Sequence, residues 1–311
     1  MTNDHNRKIT IIGAGFVGST SAFSLIAAQA ANEIVLIDVN TSLVRSQVMD
    51  LQHSIPSWGQ CQVKVGTYDD IRDSDIVVIT CGANQKPGET RLDLIKKNSA
   101  IIKDIGPKIF KANPGIIVIM VTNPVDLLTF QLVRMFPKKQ KQIMGSGTIL
   151  DTARLRFLLG QHFKVNPTSM HAYIIGEHGD SEFPLWSTAN IGQIPLAKYP
   201  GYDAKKMDRI FNQAKNAAYA IIKGKQATYY AISSGVAHLA KAILGDKNSV
   251  LPVSSLLTNY HSISNICLSV PSVIGRNGVK HQLRLSLNTR ELRQLKKSAR
   301  TLKQAAKGLV T

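Results

Sequence analysis

The stretch richest in possible chemistry is residues 171–180, HAYIIGEHGD. Alternating apolar character from Ala172 to Ile175 predicts a strand, and Gly176 lets the backbone bend into a Glu-His-Gly-Asp turn. Such a turn holds the imidazole of His178 at a fixed place, where it can take or give a proton near neutral pH. A lone histidine there is as readily a structural residue bonded to a neighbour. Asp151 and Arg154 change the balance. They sit three apart near the start of a predicted helix, so they share one face and can enter the same cleft. By themselves they make an exposed helical ion pair. Beside a histidine they acquire separate tasks: a carboxylate fixes the imidazole tautomer and stabilises its charged form, and a guanidinium fork binds a carboxylate in two places.

A second group of residues specifies a cofactor. Ile9–Ile12 reads as a buried strand, and Gly13, Gly15, Val17 and Gly18 follow in the turn GAGFVG that opens a helix. Gly13 allows the tight turn, Gly15 lets a pyrophosphate approach the backbone, and Gly18 lets the helix pack closely on the strand. The helix start adds free N–H groups and a positive dipole end. Asp38 closes the next strand, IVLID, twenty residues past Gly18. A carboxylate there accepts from ribose hydroxyls and repels a 2′-phosphate, so the expected cofactor is NAD rather than NADP.

Other candidates follow from the rule that ligands of open α/β sheets bind beyond the carboxyl ends of strands. The strand DIVVITCGA runs into Ala83, Asn84 and Gln85 and the Pro-Gly centre of a loop ending at Arg91, which reads as a lid carrying an arginine over the crevice. Val121 and Asn123 end another strand, in VTNP. Tyr68 is a further expected cofactor contact.

Positioning these residues requires β–α alternation. Strands are predicted at Ile9–Ile12, Glu33–Ile37, Val63–Val65, Asp75–Cys81, Ile116–Thr122 and Gln142–Met144, with helix-length segments between most of them. Near-continuous apolar strands separated by helices predict an α/β fold, a Rossmann-type doubly wound parallel sheet over residues 1–145. An α+β substrate domain is expected over 146–311, with helices at 149–163, 204–223 and 227–244, a β-rich section from 249, and a basic last helix.

Composition narrows the class. The 311 residues are 44% hydrophobic, and no apolar run nears the ~20 residues of a membrane span. Three scattered cysteines without metal or CxxC spacing, and no signal-peptide pattern, predict a cytoplasmic protein without a metal site. The net charge of +18 is uneven: 16 Lys/Arg oppose 12 Asp/Glu up to residue 150, and 22 oppose 8 thereafter. That excess fits an enzyme handling anions or a nucleic-acid binder. The last helix from 290 carries basic residues around several faces and no aromatic residue to stack on bases, which argues for a solvated basic surface and against nucleic acid.

In combination, GAGFVG, the IVLID acid, GANQKPGETRLDL, VTNPVD, GSGTILDTARLR, IIGEHGDS and QATYYAI resemble the L-lactate dehydrogenases of the lactate/malate dehydrogenase family over nearly the whole chain. The resemblance implies NAD-dependent interconversion of L-lactate and pyruvate. It implies that His178 is the proton donor and acceptor, Asp151 its orienting partner, and Arg154 the carboxylate anchor. Arg91 would polarise the reacting C–O bond, Asn123 would contact cofactor and substrate, Thr228 would line the substrate pocket, and Ser146 would back the nicotinamide. Gln85 stands where malate-type members carry an arginine. A neutral side chain suits a methyl group, whereas a second carboxylate would be buried unmatched. Pyruvate is therefore expected over oxaloacetate, with branched 2-hydroxy acids such as 2-hydroxyisocaproate as the alternative. Arg156 lies roughly 200° around the helix from Arg154, facing away from the active site. Arg156 and His171 match residues that bind fructose 1,6-bisphosphate at a subunit interface in activated bacterial members, which implies an allosteric homotetramer. An NAD-dependent glycosidase would begin with a similar sheet, but the DTAR and GEHGD pair fits a 2-oxoacid better.

Overall fold

The computed structural model describes residues 7–83 and 91–307; the side chains of Arg91 and Leu92 also lie outside that description. Short β-branched runs form six parallel strands: β1 (Lys8–Ile12), β2 (Glu33–Ile37), β3 (Gln62–Val65), β4 (Ile76–Ile79), β5 (Ile117–Met120) and β6 (Ile143–Gly145). Their order in the sheet is β3-β2-β1-β4-β5-β6. The strand order therefore reverses between β1 and β4, and the crevice at their carboxyl ends is where such sheets bind dinucleotides. Every residue of β1, β2, β4 and β5 is buried, as expected of strands covered on both faces.

Helices α1 (Phe16–Ala27), α2 (Thr41–Ser54), α3 (Arg91–Ala112) and α4 (Val125–Met135) fill the crossovers. After β6 come α5 (Ile149–Phe163) and the short strands β7 (Met170–His171), β8 (Ile174–Ile175), β9 (Phe183–Pro184), β10 (Asn190–Ile191) and β11 (Ile194–Pro195). The long helices α6 (Ala204–Lys225) and α7 (Tyr230–Leu244) follow, then β12 (Ser249–Leu256), β13 (Cys267–Gly275), β14 (Gly278–Gln282) and α8 (Thr289–Ala306). The last three strands join the main sheet antiparallel, docking on β6 where Ser254 faces Gly145. One face of the sheet buries apolar residues of α3, α4 and α8, and the other those of α1, α2 and α7. A third cluster lies between α5, α6 and the short strands.

The expected strand from His171 towards His178 is two strands in two sheets. His171 pairs with Asn190 of β10, whereas Ile174 and Ile175 pair with β9. Side chains of α5 occupy the intervening backbone: Arg156 Nε donates to Ala172 O at 2.9 Å, and Ile174 N–H donates to Thr152 Oγ1 at 3.0 Å. A ladder cannot run through groups already bonded elsewhere. Helix α7 also begins later than its apolar pattern, because Gln226 takes a left-handed conformation with φ of 70° and ends α6. No helix among the described residues is long and apolar enough to cross a membrane.

Candidate active site

The glycine turn has the features a pyrophosphate requires. Gly13 sits at φ +106°, and a Cβ there would lie 2.5 Å from Cys81 N. A Cβ on Gly18 would lie 1.8 Å from Gly13 O, so strand and helix are in contact at that point. Gly15 differs, since its Cβ would enter open space, the space left for a phosphate. No side chain caps α1, leaving its first N–H groups available to an anion. Asp38 lies beside the turn: Oδ2 accepts from Ala14 N–H at 2.7 Å and Oδ1 from Asn40 N–H at 2.8 Å. The turn and its acid are therefore already assembled as a dinucleotide cradle. Val17 lies in the first turn of α1.

Further strand ends complete the crevice. Ala83 N–H donates to Asn98 Oδ1 at 2.7 Å, and Asn98 Nδ2 donates to Asn123 O at 2.7 Å. Asn98, buried on α3, thus ties the ends of β4 and β5 together. Val121 is buried, and Ser146 N–H donates to Met120 O at 2.8 Å. Tyr68 follows β3 in a short turn, with the Lys108 ammonium 5.3 Å above its ring. Asn84 and Gln85 lie outside the described residues, as does the side chain of Arg91.

At the reactive end three elements converge. Helix α5 presents Asp151 and Arg154, with Arg154 Nη1 3.2 Å from Asp151 Oδ1. The turn after β8 presents His178, whose Nδ1–H donates to Asp151 Oδ2 at 2.6 Å. Its other ring nitrogen makes no hydrogen bond among the described residues and can meet a substrate. Helix α4 anchors the turn from below, since Asp126 Oδ2 accepts from His178 N–H at 2.7 Å while Oδ1 accepts from Ser254 Oγ at 2.5 Å. Arg154 Nη2 is buried and has no hydrogen-bond partner among the described residues.

The electrostatics follow from this packing. Burial opposes charge on His178, but the Asp151 carboxylate, its hydrogen bond, and the nearby Asp126 and Glu182 raise the imidazole to about 9. Burial likewise opposes charge on Asp151, and His178 and Arg154 overcome it, holding the carboxyl below its ordinary value. Burial and then the Asp151 charge push Glu182 up to about 9. Burial raises Asp126 to about 6 in spite of its two donors. The site therefore separates its carboxyls: Asp151 stays ionised beside the imidazolium, and Glu182 holds its proton at neutral pH. Such a site can protonate a developing alkoxide while a guanidinium holds an adjacent anion.

No local pattern in the sequence marks a role for Asp126, Ser254, Asn98 or Glu182. Asp126 stands inside VTNPVD, but only the fold brings it beneath a turn fifty-two positions later. Of the remaining candidates, Thr228 is half-buried between α6 and α7. Arg156 stacks its guanidinium 4.7 Å from the Tyr173 ring centre, and His171 is exposed on β7.

Comparison with known proteins agrees with this geometry. Residues 7–145 match the family model of the lactate/malate dehydrogenase NAD binding domain, and residues 148–310 that of the lactate/malate dehydrogenase alpha/beta C-terminal domain. An L-lactate dehydrogenase of Acetivibrio thermocellus is 46% identical over 308 residues, covering 97% of each chain. One from Thermoanaerobacter pseudethanolicus is 44% identical over 307 residues, covering 97% of this chain and 99% of its own. Among solved structures, a lactate dehydrogenase from a Medee basin deep-sea metagenome superposes with a TM-score of 0.96 at 35% identity, covering 99% of this chain and 100% of its own. The minor L-lactate dehydrogenase of Enterococcus mundtii gives 0.94 at 36% identity and 98% of both chains. With a nucleotide cradle at one end of the crevice and an Asp–His–Arg constellation at the other, the chain belongs to the lactate/malate dehydrogenase family of NAD-dependent oxidoreductases.

Proposed function

We propose that the protein is a cytoplasmic L-lactate dehydrogenase, with an NAD-binding domain over 1–145 and a catalytic domain over 146–311. The observation that carries this reading is the buried Arg154 Nη2, which has no partner among the described residues, beside a histidine already oriented by Asp151. A buried cationic donor left unbonded is costly unless an anion arrives to meet it. A 2-oxoacid supplies that carboxylate and places its carbonyl at the adjacent imidazole.

Bound NADH supplies the hydride that reduces the carbonyl carbon. Arg154 holds the substrate carboxylate, and Asn123 and Arg91 take up the carbonyl oxygen. His178 releases its proton from Nε2 to that oxygen as the alcohol forms. Asp151 stays ionised, keeping the imidazole in one tautomer and stabilising it when charged. In lactate oxidation the neutral imidazole accepts the hydroxyl proton. Thr228 and Gln85 bound the methyl group, and a neutral Gln85 disfavours a second carboxylate.

Fructose 1,6-bisphosphate is proposed as an activator bound by Arg156 and His171 between subunits of a homotetramer. The cationic surroundings support this reading: burial lowers the pKa of His238, and so do the charges of Lys247, Arg156 and Lys241. NADH oxidation against pyruvate, oxaloacetate and 2-oxoisocaproate, each with and without the bisphosphate, tests the assignment. Pyruvate is expected to give the highest kcat/KM. Dominant turnover of oxaloacetate would overturn the argument from Gln85, and dominant 2-oxoisocaproate would assign the branched alternative.

A further inference from the structure

The last residue of α6, Lys225, is held in an unusual way. A lysine at a helix C-terminus ordinarily reaches water or the last free carbonyls. Here Nζ is buried, makes no hydrogen bond of regular geometry among the described residues, and by its closeness lowers the pKa of the Tyr229 hydroxyl. It lies instead 3.2 Å from the ring centre of Tyr229 and 3.8 Å from that of Tyr230. The two rings meet edge to face at 4.5 Å. Tyr229 also stacks on Phe16 at 5.4 Å with 21° between the planes, and Phe16 is the residue inside GAGFVG that opens α1. A desolvated ammonium over aromatic faces is among the stronger forms of the cation–aromatic interaction.

The stack joins the cofactor turn to the segment that carries Thr228, the residue proposed above to bound the substrate methyl group. Phe16 belongs to the cofactor turn, and Thr228 lies between Lys225 and Tyr229 at the break marked by left-handed Gln226. Helix α7 is also bonded to the start of α1, since Ser233 Oγ donates to Val17 O at 3.3 Å and Ser21 Oγ donates to Ser233 Oγ at 3.2 Å. The segment carrying Thr228 is thus fixed on one side by Lys225 and on the other by the dinucleotide helix.

We propose that Lys225 is a positioning residue whose stack with Tyr229 and Phe16 couples the cofactor turn to the substrate pocket, so that bound NADH sets the place of Thr228 and favours substrate entry. The proposal deepens the dehydrogenase reading and rests on it. Coupling of this kind is reciprocal: cofactor and substrate each tighten the other by the same factor.

Two kinds of measurement test it. In Lys225→Met, which keeps the stem and removes the charge, KM for pyruvate should rise about tenfold while kcat changes less than about threefold. Lys225→Arg, which restores a stacking cation, should recover most of the rise. In Phe16→Leu, NADH measured by its own fluorescence should tighten oxamate, an unreactive pyruvate isostere, several-fold less than in wild type. A purely structural role would lower the melting temperature and, through loss of active enzyme, the apparent kcat, with KM and the NADH–oxamate coupling unchanged. That result, or an unchanged KM in Lys225→Met, overturns the proposal. If Lys225→Met does not fold, Phe16→Leu and Lys225→Arg still decide. A wild-type enzyme that reduces no 2-oxoacid would instead remove the functional reading, and NADH affinity in Phe16→Leu would then judge the stack alone: weakening of about threefold or more retains it, and no change removes it.

Discussion

At the scale of single residues the site is a set of charges whose protonation has been sorted by burial and by one another. His178 titrates near 9, above the ordinary imidazole value, because Asp151 faces it at 2.6 Å. A raised pKa keeps the imidazolium present at neutral pH and loses it as pH rises through about 9. Pyruvate reduction needs that proton, so its kcat/KM should be flat near neutrality and fall above about 9, while lactate oxidation should rise over the same interval. Steady-state rates in both directions from pH 6 to 10.5 check this; parallel profiles would contradict it. His178→Gln should lower both directions by ~10³-fold or more with the fold intact, since general acid–base catalysis contributes ~10²–10⁴. Arg154→Lys keeps the charge but loses the fork, and a bidentate ionic contact is worth several kcal/mol. Pyruvate KM should therefore rise ~10²-fold, whereas NADH affinity measured by fluorescence should not change. Glu182 supplies a control, because it holds its proton at neutral pH with a pKa of about 9. Glu182→Gln reproduces the neutral carboxyl in shape and charge. Activity at pH 7 should stay within about threefold of wild type, and a large loss there would show that the carboxyl is needed ionised.

At the scale of elements, the reactive turn is held by an anchor that no sequence pattern signals. Asp126 on α4 bonds both the His178 backbone N–H and Ser254 Oγ of β12. Removing it would leave two buried donors unpaired, at about 1–3 kcal/mol each. Asp126→Ala should therefore lower the denaturant midpoint and also reduce kcat, because the imidazole loses its fixed place. Asp126→Asn, which keeps an acceptor for the N–H, should lose less of both; equal losses would argue that charge rather than anchoring matters. The contrast between local and long-range information explains which features the sequence makes legible. Strands β1, β2 and β4–β6 were legible as apolar runs, and the cofactor turn as spaced glycines, because those signals are local. Asp151, Arg154 and His178 were legible as chemistry, although only the fold shows the carboxylate and imidazole bonded. The split between β7 and β8 was not legible: Ala172–Ile175 has the period of one strand, and side chains of α5 decide otherwise by taking the Ala172 carbonyl and the Ile174 N–H. Asn98, Asp126 and Ser254 were silent for the same reason, since a buried polar residue acquires its meaning from a partner far along the chain.

At the scale of the whole molecule, the excess of positive charge in the second half bears on the proposed assembly. Residues 151–311 carry 22 Lys/Arg against 8 Asp/Glu, and the outer face of α8 exposes Arg290, Arg293, Lys296, Lys297, Arg300 and Lys303, with Lys307 exposed just beyond it. Charge of one sign keeps copies apart unless an anion intervenes or salt screens it. Arg156 and His171 belong to that half, and Arg156 is already oriented by the Tyr173 ring and the Ala172 carbonyl. If these residues face their counterparts across a two-fold axis, a bisphosphate placed there replaces repulsion with charge-assisted bonds. Sedimentation velocity at low salt should then show a smaller species without fructose 1,6-bisphosphate and a tetramer with it. Pyruvate KM should fall with assembly by a factor in the usual allosteric range of about 5–150. Arg156→Ala should remove the response to the sugar phosphate in both measurements while leaving the unactivated rate in place, because its guanidinium faces away from Asp151 and His178. High salt without effector separates screening from binding: it should promote assembly without reproducing the full fall in KM. A sedimentation profile and a KM that ignore the bisphosphate in wild type would remove the effector and leave the charge to solubility alone.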